Sequence, residues 1–406
     1  MPMPWPGLPA ERMRIFYITQ RVPFPPDRGD KIITVNVLRH LSRTHEVHVF
    51  CTADGEADMA NLDGARAIAA SVTAVPVHPW AAKLRALAAL ATGAPLSVAM
   101  MNERALHDAV AAAHARLRPD LVIAYSSNVA QFAEPFAATP RIMQFVDLDS
   151  MKWARYATET RPPMRWIYAL EAHRLLRYER RIAHAFDHSL VCTDAERADF
   201  VAAIPGVPVT TLRNGVDFDH FQPGGAAKMP GRLVFTGVMD YLPNADAVSW
   251  FVADILPRIQ AAVPEAHLVI CGSRPNAAVL ALASRPGVTV TGRVPDVRPY
   301  LDAAEIFVAP LRIARGIQNK VLEAMAMSLP VVASLPAWTG TDLPRGEAIE
   351  ASDDPAEFAA HVVRLLRDPQ LRAERGRVGR AMVMRDYAWE TQLAVLDRVI
   401  AEVVKK

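Results

Sequence analysis

The sequence predicts an α/β protein: two doubly wound parallel sheets facing a cleft. Short β-branched runs alternate with longer helical patterns from one end of the chain to the other. Those runs are nearly continuous in apolar residues, as strands covered on both faces must be. At 406 residues the chain is also too long for one ordinary core. An apolar content of 51% with 22% charge describes a globular chain, and a net charge of +2 makes no case for nucleic acid as partner.

In the first half, strands are expected at 13–19, 46–52, 71–77, 121–127, 141–147 and 188–193, with a further run ending at Asn214. The second half supplies runs at 233–238, 267–272, 288–293, 306–311 and 330–335. Helices between them return the chain for the next parallel strand. The segment 214–231, NGVDFDHFQPGGAAKMPG, combines turn residues with lost periodicity and reads as a linker between domains at 12–213 and 232–386. Cys51, Cys192 and Cys271 each sit near the end of an apolar run and read as buried thiols, a usage that suits a reducing cytoplasm. The proline-punctuated start, residues 1–11, lacks the pattern of a signal peptide and reads as a disordered leader. No stretch approaches the roughly 20 apolar residues of a spanning helix, so any membrane contact is expected to be peripheral.

The strongest chemical signal is PLRIARGIQNKVLEAMAMSLPVVAS, 310–334. A strand ends at Pro310, a basic loop containing Gly316 follows, and a helix is expected to begin near Ile317. Open parallel sheets bind ligands beyond the carboxyl ends of their strands, and a helix start offers unpaired N–H groups to a diphosphate. Arg312, Arg315 and Lys320 add positive charge there. Glu323, further along the helix, is placed to accept hydrogen bonds from ribose hydroxyls.

At these residues the sequence resembles the family 4 glycosyltransferases, retaining enzymes of GT-B fold with two Rossmann-like domains. The resemblance extends over RVPFPPDRGDKIITVNVLRHLSRTHEVHVF, NGVDFDHFQP, VTVTGRVPDVRPYLDAAEIFVAPL and KVLEAMAMSLPVVAS. More narrowly, FVDLDSMKWARYA, VFTGVMDYLPNADAVSWF and RIARGIQNKVLEAMAM resemble the exosortase/PEP-CTERM-associated exopolysaccharide sugar transferases. The family usually has a glutamate eight residues before the one matched by Glu323; Arg315 stands there. Many members also carry an arginine and a lysine after the first strand of the second domain, where this chain has Gly237, Val238 and Met239, with Asn244 further on. Phosphate charge is then expected to fall to Arg315 and Lys320.

Other positions join the candidate donor site. Gly29 in PFPPDRGDK lets backbone approach a ligand, and Asp30 and Lys31 beside it are candidates to touch sugar or diphosphate. Gly292, Arg293 and Val294 end a strand where related enzymes border the nucleobase. Asp147 occupies roughly the place of a family histidine; Asp147 or Asp149 either orients an acceptor hydroxyl and takes its proton or caps the following helix. The Asp-x-Asp patterns at 147–149 and 217–219 also match metal-dependent transferases, but the GT-B class holds diphosphate with helix termini and basic side chains, so no metal is expected.

The basic segment 161–186, with Trp166, Tyr168 and Tyr178, either lies on an anionic membrane surface or is a solvated helix face. The alanine-rich 80–100 is either an acceptor or membrane contact or a packed core helix. The resemblance places the closing helix, 387–406, back on the first domain. Together these readings imply a cytoplasmic glycosyltransferase, peripheral at the inner membrane face, active in exopolysaccharide biosynthesis. It would move a sugar from a nucleoside diphosphate sugar to a hydroxyl of a glycan or lipid-linked acceptor without a cofactor. A nucleotide-sugar 2-epimerase and a non-catalytic sugar-nucleotide-binding subunit are the alternatives.

Overall fold

The computed structural model describes residues 12–26, 29–314 and 316–405; the expected leader and Arg315 lie outside the described residues. The chain divides into two compact units. One comprises residues up to Leu212 together with those from Leu393 onward, and the other runs from Arg213 to Gln392.

In the first unit, the described strands form one seven-stranded sheet ordered β3-β2-β1-β4-β5-β6-β7. They are β1 (Arg14–Thr19), β2 (Glu46–Ala53), β3 (Ser71–Pro76), β4 (Leu121–Tyr125), β5 (Arg141–Val146), β6 (His188–Val191) and β7 (Val209–Thr211). Every pairing is parallel. In the second unit, six described strands are ordered β10-β9-β8-β11-β12-β13. They are β8 (Arg232–Thr236), β9 (His267–Cys271), β10 (Val288–Gly292), β11 (Ile306–Ala309), β12 (Val331–Ala333) and β13 (Ile349–Ala351). These pairings are parallel too. Residues 15–19 of β1 and all of β4 are buried, because helices cover both sheet faces and leave no solvent side to alternate with. Strand β13 was not anticipated: its three residues, IEA, are too short to register as an apolar run.

The helices that matter for function are α1 (Gly29–Leu41), α2 (Pro79–Thr92), α3 (Asp149–Glu159), α4 (Met164–Ala185), α5 (Leu242–Trp250), α6 (Asn319–Ala326) and α7 (Trp389–Val404). Helix α2 ends where Gly93 adopts φ 77°, so residues 80–100 are not one helix. Its buried residues are only Ala82 and Ala89, while Trp80, Leu84 and Leu87 are exposed; the reading as a packed core helix does not hold. Helix α4 buries Leu175, Tyr178 and Ile182 along one face and exposes Trp166 and Ile167. From Leu393, α7 packs in the first unit, and Asp397 meets His40 of α1 at 2.8 Å. All three cysteines are buried and free. Among the described residues no helix is long and apolar enough to cross a membrane.

Strand order reverses between β1 and β4 in one sheet and between β8 and β11 in the other. At such a switch point the crossovers leave in opposite directions and open a crevice at the carboxyl ends. Each unit therefore has one place where a ligand site is favoured by topology alone.

Candidate functional site

The switch point of the second unit collects the sequence candidates. Past β8, the Gly237 N–H donates to the Cys271 carbonyl at 3.1 Å. Gly272 packs so tightly beside it that a Cβ there would sit 1.6 Å from the Gly237 oxygen. Asn244, near the start of α5, donates from Nδ2 to the Val238 carbonyl at 2.9 Å and accepts from Lys320 Nζ at 2.5 Å. Lys320 reaches back from α6 so far that its Nζ would lie 3.1 Å from a Cβ on Gly237, and it stands 4.7 Å from the centre of the Phe235 ring. An ammonium is thus brought to the place where the sequence has no basic residue of its own after β8.

On the β11 side the loop 310–318 is pinned at both ends. Ser334, just past β12, donates from its hydroxyl to the Leu311 carbonyl at 2.6 Å. Arg312 donates from Nε to Asp246 of α5 at 3.0 Å and lies over the Trp250 ring. Its charge is therefore matched within the protein instead of standing free for phosphate. Gly316 has φ 64°, and its carbonyl rests on Gly340, where a Cβ would approach to 2.1 Å. Helix α6 starts at Asn319, not near Ile317: Gln318 keeps a non-helical backbone, and Ile317 stays in the loop, packed against the core. Asn319 accepts from the Asn214 amide at 3.1 Å.

Lys320 and Glu323 are both partly buried. Burial pushes the Lys320 ammonium down to about 8, opposed by the Glu323 carboxylate; burial likewise pushes Glu323 up to about 7, opposed by Lys320. Gly292, with φ 69°, closes β10 in the turn expected there; Arg293 is exposed and Val294 packs on the core.

In the first unit, Gly29 opens α1 and Asp30 accepts from Arg21 at 3.0 Å. Lys31 points away from ligand duty: it is buried, ion-paired with Asp58 at 3.2 Å and donating to the Phe24 carbonyl at 3.3 Å. Asp147 lies in the partly buried loop after β5, and Leu148, not an aspartate, takes the N-cap of α3. Asp149 is ion-paired with Lys152 and stands 3.5 Å from the Ser127 hydroxyl. Behind them Glu179 is fully buried, accepting from the Ser150 N–H at 3.3 Å and from its hydroxyl. Burial pushes Glu179 up to about 8. Across the switch point, Asn128 donates to Gln20 at 3.0 Å. Sequence reasoning missed Asp246, Gly340 and Glu179, since each matters through a partner distant in sequence; it also missed Lys152, whose partner Asp149 is one helical turn away. The pattern 217–219 forms an exposed turn in which Asp217 accepts from the His220 N–H.

Comparison with solved structures defines the fold as GT-B. HepE of Anabaena, in complex with UDP, matches at a TM-score of 0.70 with 14% identity, covering 96% of this chain and 100% of that one. Sucrose-phosphate synthase of Thermosynechococcus elongatus matches at 0.70 with 17% identity, covering 96% of this chain and 99% of that one. Residues 230–368, which fall in the second unit, match the family model described as Glycosyl transferases group 1. The chain is also similar to the GDP-mannose-dependent monoacylated alpha-(1-6)-phosphatidylinositol monomannoside mannosyltransferase of Corynebacterium glutamicum, 29% identical over 44% of this chain and 52% of that protein. A second relative is the lipopolysaccharide core biosynthesis mannosyltransferase LpcC of Rhizobium leguminosarum, 24% identical over 59% of this chain and 72% of that protein. The match thus spans about half the length of the first of these relatives.

Proposed function

We propose that the protein is a retaining, metal-independent glycosyltransferase that moves a hexosyl group from a nucleoside diphosphate sugar to a hydroxyl of a glycan or lipid-linked acceptor. The observation that carries this reading is the meeting of Lys320, Asn244 and the pinned loop 310–318 at the β8/β11 switch point of a group 1 domain. The start of α6 offers N–H groups and the positive end of its dipole to the diphosphate. Lys320 neutralises charge that develops on the departing diphosphate, and Glu323 accepts from the ribose hydroxyls. Gly316 and Ile317 supply close backbone, Arg315 the second phosphate charge, and Arg312 holds the loop through Asp246. Gly237 leaves room for Asn244 and Lys320 beside the donor, while Gly292, Arg293 and Val294 border the base.

On the acceptor side, Gly29 and Asp30 line the approach, and Asp147 orients the acceptor hydroxyl or takes its proton. One relative is named as GDP-mannose-dependent and one structural neighbour was solved with UDP, which favours guanine or uracil as the donor's base. The resemblance of FVDLDSMKWARYA and RIARGIQNKVLEAMAM to exosortase-associated transferases supports exopolysaccharide biosynthesis at the cytoplasmic face of the inner membrane.

Thermal unfolding in the presence of UDP, GDP, ADP and TDP tests the donor site, because a ligand bound only by the folded state raises its apparent stability. One nucleotide is expected to shift the midpoint, and Glu323→Ala to weaken it by about tenfold, the worth of a charged hydrogen bond. No shift with any of the four would sink the reading.

A further inference from the structure

A cleft of about 730 Å³ lies within the first unit, where α2 and the turn after it meet α4. Four of its lining residues are arginines, Arg85, Arg174, Arg177 and Arg181, against one lining carboxylate, Glu134. Arg181 is spent on Glu134 at 2.6 Å, and Arg85 on Glu103 at 2.5 Å. Arg174 donates to the Ala89, Leu90 and Ala94 carbonyls, clamping the carboxyl end of α2 while leaving its charge unmatched. Arg177 is exposed and forms no hydrogen bond or ion pair with the described residues. Tyr178 is 7% exposed, and its hydroxyl lies near Glu134 and the Gln131 backbone. Arg174 and Arg177, neither ion-paired with a carboxylate among the described residues, thus bring two guanidinium groups to one cleft, and guanidinium groups suit a phosphate.

The flanks say what carries the phosphate. Trp80, Leu84 and Leu87 recur at helical spacing on one face of α2 and are 68%, 54% and 61% exposed. Trp166 and Ile167 are exposed in the first turn of α4, ahead of the arginines that line the cleft. A soluble phosphate needs no such surface; a headgroup in a bilayer comes with one, and tryptophan settles at that boundary. Gln131, which lines the cleft, belongs to the 3₁₀ turn Ser127–Phe132, whose other end meets Asp149 and Gln20 at the carboxyl edge of the sheet.

We infer that this cleft holds the phosphate of a membrane lipid, with the exposed faces of α2 and early α4 laid into the acyl boundary. The inference deepens the proposed function, on whose lipid-linked acceptor it rests: one 3₁₀ turn would separate the lipid phosphate from the residues that receive the acceptor hydroxyl.

Sedimentation of the full chain with vesicles tests it. The protein is expected to bind phosphatidylcholine vesicles containing phosphatidylglycerol and to bind pure phosphatidylcholine far more weakly. Arg177→Gln should weaken binding by about fivefold, the worth of one cation at an anionic surface, and Leu84→Ser with Leu87→Ser should weaken it as well. Neither change touches a packed residue, so both variants should keep the parent melting midpoint and its nucleotide shift. Equal binding to neutral vesicles, or binding unchanged by Arg177→Gln, would overturn the assignment. So would stabilisation by inorganic phosphate without vesicle binding, which would mark a site for a soluble anion. Vesicle binding that depends on Arg177 in a protein unmoved by any nucleotide would uphold the cleft and fail the donor site instead.

Discussion

Lys320 and Glu323 stand about one turn apart on α6, and burial drives their titrations toward each other. The consequence for the proposed donor site has a definite sign. Lys320 is charged below about 8 and neutral above it, and only the charged form attracts a diphosphate. Nucleoside diphosphate affinity should therefore fall as pH rises from 7.5 to 9.5, by up to about tenfold per unit. Calorimetric titration checks this, with Lys320→Ala expected to bind weakly at both ends and to lose the slope. A slope that survives in Lys320→Ala would assign it to another group. Both residues were legible in the sequence because motif and strand-to-helix junction coincide there. Asn244, which accepts from Lys320, was noted only as a neighbour of a missing lysine, since that bond joins residues 76 positions apart. The same blindness hid the partners of Lys31 and Arg312: folding sets Asp58 beside one and Asp246 beside the other.

Among elements, the loop 310–318 shows how a short segment is held in one shape by a neighbour. Gly340 must lack a side chain because the Gly316 carbonyl occupies its Cβ position. Gly340→Ala should push that loop outward, costing about 2 kcal/mol of stability and more than tenfold in nucleotide affinity. Denaturant titration beside nucleotide binding would separate the two effects, and full affinity would show that the loop's position is immaterial. Helix α4 makes a second prediction through Glu179. Its carboxyl titrates near 4.5 when unfolded and near 8 when folded, so it favours folding below 4.5 and that contribution is lost as pH rises toward 8. Glu179→Gln should flatten the loss, leaving the variant less pH-sensitive between pH 5 and 9 in unfolding midpoint; an unchanged profile would refute it. Twelve strands could be located because both-face burial writes itself as apolar runs. The start of α6 could not, because neither Gln318 nor Asn319 caps it by side chain, and Asn319 is engaged by Asn214.

For the whole molecule, alternation of strand and helix was enough to read two parallel sheets, and the lost periodicity after Asn214 pointed to a seam. What composition could not reveal is that the seam is crossed twice. Val216 donates from its N–H to the Tyr387 carbonyl at 2.8 Å, and the Arg213 N–H meets Gln392 at 3.2 Å, so the outgoing and returning segments run side by side. The apolar face of α7 that follows, Leu393, Leu396, Ile400 and Val403, is buried and completes the first unit. A chain ended after Gln392 should keep a protease-resistant second unit and expose the first to cleavage; equal resistance of both would show that α7 is dispensable. On the ribosome the order of events then inverts the order of the sequence. Residues 213–392 are all available to fold while the first unit, begun earlier, still waits for the helix that closes it, and a nascent chain holding that face open is the form in which a chaperone would meet this protein.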